Sequence, residues 1–106
     1  MRRRVVIRPR AVGDLDEYVD YLALRSPAAA ERFRARVSET WALLAEYPGI
    51  GRLRRYTDPE FAGVRSIPVR GFPNHLIFYR ATEKVLDVIR VLHGARDLDA
   101  IFGGED

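Results

Sequence analysis

Leu24-Arg25-Ser26-Pro27-Ala28 is the stretch whose reading decides the fold. Serine can accept from the first free N–H groups of a helix. Proline fits the first helical position, because its missing N–H would have no partner there anyway. A helix therefore starts at Pro27. The residues before it read as a helix too. From about Arg10 to Arg25, Ala11, Leu15, Val19 and Leu22 fall on one stripe with Tyr18 beside it, while Asp14, Asp16, Glu17 and Asp20 lie mainly off it. Acids in the first half and Arg25 at the end suit the helix dipole. After Ser26, Phe33, Val37, Trp41 and Leu44 recur at spacings of four, four and three, through about Glu46. Trp41 is most simply a core anchor. Two helices joined with almost no loop form an antiparallel αα-hairpin.

Outward from the hairpin the periodicity changes. Arg4 to Arg8 alternates, with Val5 and Ile7 on one side, and reads as a short strand ended by Pro9. On the other flank, Pro48-Gly49-Ile50-Gly51 stops the second helix. The stretch to Gly63 is irregular, with Arg52, Arg54 and Arg55 beside Tyr56. Its simpler reading is a solvated surface loop; contact with nucleic acid or an acidic partner is the alternative. Val64 to Val69 is a strand, Arg70-Gly71-Phe72-Pro73 a turn, and Asn74 to Ala81 a second strand. Thr82-Glu83-Lys84 is a tight turn before a third strand, Val85 to Leu92. Leu76-Ile77-Phe78-Tyr79 is apolar on both faces, so its strand is central and covered on both sides. Asp97 can cap a last short helix whose Ile101 and Phe102 dock on the domain. Gly103-Gly104-Glu105-Asp106 is expected to fray. The expected fold is α+β: an antiparallel αα-hairpin on a mainly antiparallel four-stranded sheet. The order is strand, helix, helix, strand, strand, strand, with a short C-terminal helix. The pairing position of the first strand is open.

The 106 residues suit a single domain over 1–106. The absence of cysteine excludes disulfides, thiolate metal sites and a cysteine nucleophile. With only His75 and His93, a histidine-built metal centre is not expected, nor is any cofactor. No apolar run approaches the ~20 residues of a membrane span, and Val5-Val6-Ile7 after the basic start is too short for a signal-peptide core. The expected location is the cytoplasm. A net charge of +3 favours an anionic partner, nucleic acid or an acidic protein surface. Lys84 is the only lysine. Arginine suits bidentate contacts to phosphate and carboxylate; a GC-rich genome would produce the same bias.

No phosphate-binding glycine loop, HExxH or paired-carboxylate arrangement is present, and Ser26, Ser38 and Ser66 stand in plain structural settings. The remaining candidates are Arg65, Arg80, Arg90, His93 and Arg96. Arginine can stabilise a phosphate but does not give up its proton near neutrality. His93 could act as base or acid, and Tyr79 as a weak acid. The simpler reading has His93 bonding the turn backbone and Asp97 capping the last helix.

These residues resemble the RelE/ParE superfamily of toxins from bacterial toxin–antitoxin modules, and the ParE branch more closely. The resemblance covers nearly the whole chain. It starts with Ala11, Asp14-Leu15, Tyr18 and Tyr21, and continues through Pro27, Leu44-Ala45 and Pro48 with Gly51. It is strongest at Arg65-Ser66-Ile67-Pro68, at Leu76-Ile77-Phe78-Tyr79-Arg80 and at Val91-Leu92-His93-Gly94-Ala95-Arg96-Asp97. It implies the same fold. It also implies a toxin that inhibits DNA gyrase and is held inactive by a cognate antitoxin whose tail wraps it. The contact residues expected are Arg65, Arg80, Arg90, His93 and Arg96. The RelE branch instead cleaves messenger RNA on the ribosome, and in that alternative His93, Arg96, Arg65 and Tyr79 form the catalytic set. RelE-type ribonucleases are similar to one another in lysines ahead of the hairpin strands and a tyrosine near the C-terminus. This chain has no lysine except Lys84 and no tyrosine after Tyr79, which favours the ParE branch. It also carries Asn74-His75 where relatives often have an aromatic residue. A further alternative is a module that has lost toxicity and only binds its partner.

Overall fold

The computed structural model describes residues 2–105. Strand β1 (Arg4–Ile7) leads into helix α1 (Pro9–Arg25) and helix α2 (Pro27–Glu46). Strands β2 (Arg52–Leu53), β3 (Arg65–Val69), β4 (Phe72–Ala81) and β5 (Val85–His93) follow, then helix α3 (Leu98–Phe102). The helix restart occurs where the sequence places it. The Ser26 side chain accepts from the Ala29 N–H at 3.2 Å, and Pro27 opens α2.

The sheet has five strands, not four, in the order β1-β5-β4-β3-β2. The added strand is β2, where Arg52 and Leu53 pair antiparallel with Ser66 and Arg65. Two residues are too few to show a periodicity, so this stretch reads as loop from sequence. The first strand lies parallel to β5, with Arg4 opposite Val85 and Ile7 opposite Val88. The other neighbours are antiparallel. The turn before β4 is shorter than expected. It is Arg70-Gly71, with Gly71 at φ +82°, where only glycine sits without strain, and Phe72 already pairs with Val69. Beyond Ser66 the outer edge of β3 is uncovered, and Pro68 there removes a donor that would invite another strand.

The hairpin packs on one face of the sheet. Phe33, Val37 and Leu44 meet Ile77, Tyr79, Leu86 and Val88, all fully buried, and Trp41 packs against them. On the opposite face Phe102 of α3 joins Val64, Phe78, Ile89, Leu92 and Tyr56. Strands β4 and β5 are thus covered on both sides.

The chain end departs from expectation. Gly103 to Glu105 is tied down, while Asp106 lies outside the described residues. The Glu105 carboxylate accepts two hydrogen bonds from the Arg54 guanidinium, both 2.8 Å, and one from the Arg55 N–H. Thr57 N–H donates to Gly104 O at 3.0 Å. Arg54 and Tyr56 are therefore not part of a solvated loop. The Arg54 side chain is only 9% exposed, and Tyr56 stacks on Phe102 with ring centroids 4.8 Å apart. No helix is long and apolar enough to cross a membrane among the described residues.

Candidate functional site

At the end of β5 the backbone turns sharply at Gly94. Gly94 N–H donates to Asn74 O at 2.7 Å, and Arg96 N–H to His93 O at 3.0 Å. The His93 ring joins the same turn: its Nδ1 accepts from the Ala95 N–H at 3.0 Å. Asp97 then caps α3 by accepting from Ala100 N–H. His93 thus bonds the turn backbone, and one of its nitrogens is unavailable as an acid or base. Its ring and Arg96 form one lip of a cleft of about 390 Å³ between β5 and α1.

The opposite wall is α1. Asp14, Tyr18 and Tyr21 recur at helical spacing and face the cleft, with Glu17 beside them. Asp14 closes one end. Its two oxygens accept from the Arg90 guanidinium, both at 2.8 Å, and one also accepts from Val91 N–H at 3.1 Å. The side chains are 13% and 10% exposed, so this is a largely buried pair. It joins α1 to the part of β5 that β1 does not cover.

The floor is His75, opposite His93 in the β4–β5 ladder and 5% exposed. Its ring lies 3.8 Å from Tyr18 and meets His93 edge-on at 5.2 Å. Burial, helped by the neighbouring His93, pushes the His75 pKa down to about 4, so the ring is neutral near pH 7. Tyr18 stacks in turn on Tyr21 at 5.8 Å, and the Arg25 guanidinium covers Tyr21 at 4.5 Å.

The residues singled out from sequence divide between two places. His93 and Arg96 meet at this cleft, and Arg90 reaches its edge through Asp14. Arg65, Tyr79 and Arg80 sit elsewhere, on the 48–63 segment. Arg65 donates to Gly51 O at 2.9 Å, and Arg80 donates to the carbonyls of Glu60 and Ala62 at 2.9 and 2.8 Å. The Tyr79 hydroxyl donates to Pro48 O and accepts from Gly51 N–H, and burial pushes its pKa up. Gly51 has no room for a Cβ, which would collide with that ring. Tyr79 lies four residues along β4 from His75, roughly 13 Å at strand rise. The structure therefore does not bring His93, Arg96, Arg65 and Tyr79 into one constellation. Among the described residues, no group of three or more acidic or histidine side chains is placed to hold a metal.

The sequence reading did not assign Asp14, Glu17, Tyr18, Tyr21 or His75 to a site. The signal was present in part, since Asp14, Tyr18 and Tyr21 share one side of α1 next to its apolar stripe.

A family model described as the ParE toxin of the type II toxin–antitoxin system parDE matches residues 5–98. The chain belongs to the ParE toxin family. Toxin RelE2 of Caulobacter vibrioides is 34% identical over 93 residues, covering 88% of this chain and 97% of that protein. A solved structure described as the chromosomal ParDE TA system from P. aeruginosa shares the fold, at a TM-score of 0.68 and 20% identity. It covers 86% of this chain and 95% of that one. In this chain the cleft lies between α1 of the hairpin and β5 of the sheet.

Proposed function

We propose that residues 1–106 act as one ParE-type toxin domain, which binds a protein target, DNA gyrase, in the cytoplasm and is neutralised by a cognate antitoxin. The observation that carries this reading is how the candidate catalytic groups are engaged. Tyr79 is fully buried and bonded at its hydroxyl, Arg65 donates to Gly51 O, and His93 Nδ1 is held by the turn. What remains outward is a recognition surface, with His93 and Arg96 as the direct contacts. Arg65, Arg80 and Arg90 shape that surface through the segments they brace. The net charge of +3 suits an antitoxin with an acidic, amphipathic tail.

The alternative is a ribosome-dependent mRNA endoribonuclease. One observation favours it: His93 and Arg96 stand side by side on an open cleft. Induction of the toxin alone in a bacterial host separates the two. Growth arrest with filamentation and intact transcripts, relieved by co-expressing the antitoxin, is the expected result. Transcripts cut on translating ribosomes, with cutting lost in His93→Ala or Arg96→Ala, would establish the ribonuclease instead.

A further inference from the structure

We infer that the edge of the sheet formed by β1 docks on duplex DNA, holding its phosphate backbone without reading its sequence. This goes beyond the toxin reading, and its test needs neither gyrase nor antitoxin.

The positive charge of the chain is segregated. Residues 2–10 hold five arginines and no acid, whereas from residue 11 onward 13 basic side chains are outnumbered by 15 acidic ones. A GC-rich genome exchanges lysine for arginine but does not gather the cations in one place. The fold fixes where they stand. Val5 and Ile7 pack under the hairpin, so the alternation of β1 puts Arg4, Val6 and Arg8 on the opposite face. Arg4 and Arg8 lie about 13 Å apart at strand rise. Arg10 follows in the first turn of α1 and, with Arg8, lines a groove beside Phe61 and Phe102 on that same face. Because β1 is an edge strand, the row stands at a rim that a long partner can approach.

Most of this charge is uncompensated. Arg8 is neutralised, since Asp87 accepts from its guanidinium at 3.1 and 2.8 Å. Arg3 donates only to the carbonyls of Thr82 and Ala45, which leave its charge in place. Arg2, Arg4 and Arg10 are exposed and make no ion pair among the described residues. Neighbouring elements add two acids, Glu60 in the groove and Glu83 in the β4–β5 turn. They also add two cations, Arg80 opposite Asp87 and Lys84, whose carbonyl accepts from Arg4 N–H.

The surroundings choose the partner. A protein interface is anchored by an apolar and aromatic centre. On β1 the exposed large apolar side chain is Val6 alone. Single-stranded nucleic acid is held by stacking its bases on aromatic rings. Residues 2–10 carry none, and Phe61 is already packed against the rings of Tyr56 and Phe102. A row of unpaired arginines without such anchors suits the dense, regular phosphates of a duplex.

The test is fluorescence anisotropy of the full chain with a labelled duplex of about 30 base pairs, and with either strand alone, from about 50 to 200 mM salt. Saturable duplex binding at the lowest salt is expected, alike for unrelated sequences. Its logarithmic salt slope should be about −3, close to one for each of Arg2, Arg4 and Arg10. Arg4→Gln/Arg10→Gln should flatten the slope by about two and weaken binding at least about tenfold while Tm holds. Arg32→Gln/Arg70→Gln removes as much charge from exposed arginines elsewhere and should leave the slope unchanged. No duplex binding at the lowest salt overturns the inference. So does equal weakening by the two double variants, or competition by the single strand or by polyglutamate as effective as that by the duplex.

Discussion

Asp14 and His75 show how single residues define the cleft. Asp14 bonds three donors from β5, and removing it leaves Arg90 buried without its counter-ion. Asp14→Ala should therefore cost about 2–4 kcal/mol in urea unfolding. Asp14→Asn, which can still accept from Val91 N–H, should cost less. The pair was illegible in the sequence. Its members are 76 residues apart, and nothing in a local pattern announces which acid meets which arginine. His75 predicts a pH dependence. Its folded pKa of about 4 lies below the ordinary 6.5, so the unfolded chain binds the extra proton first as pH falls. Stability from this group is complete above pH 6.5 and is lost on going down to pH 4, a loss of roughly 2–3 kcal/mol. His75→Phe should flatten that part of the stability–pH curve in denaturant titrations from pH 7 to 4.5.

Elements were readable where their signals are local. Ser26-Pro27 places the hairpin because capping and proline chemistry act within one turn, and Asp97 places α3 for the same reason. The paired faces of β4 and β5 follow from their continuous apolar runs. Elements fixed by distant partners were not readable. β2 forms by pairing with Arg65 and Ser66 of β3, and the chain end is held by Arg54 and Thr57, which meet Glu105 and Gly104 from far back in the sequence. That end acts as a strap over the second sheet face. Phe102→Ala should destabilise by about 3–5 kcal/mol, since the ring is fully buried between Tyr56 and Phe78. The Arg54 hydrogen bonds hold the Glu105 carboxyl below its usual pKa. The strap's stability is thus complete above the ordinary carboxylate pKa and is lost as pH falls through the lower folded value. Hydrogen exchange at Thr57, whose N–H donates to Gly104, should accelerate in Glu105→Gln at neutral pH and in the unaltered chain only on acidification.

At the scale of the whole molecule, most of the arginines that look like a functional set from sequence turn out to hold the fold. Arg54, Arg65, Arg80 and Arg90 brace the C-terminal tail, the 48–63 segment and α1. They leave His93 and Arg96 at the cleft mouth. The C-terminal end of β5 was legible as a candidate surface because its residues carry the family resemblance. The α1 wall was missed because it is the hairpin's packing that brings Tyr18 and Tyr21 over β5. The proposed function has such a molecule inhibit by holding a partner rather than by turning over a substrate. The most direct measurement is a DNA gyrase supercoiling assay with the purified chain, with and without its antitoxin. Inhibition at micromolar toxin, reversed by equimolar antitoxin and weakened in Arg96→Ala, is the predicted result. Undiminished supercoiling at that concentration would contradict the account.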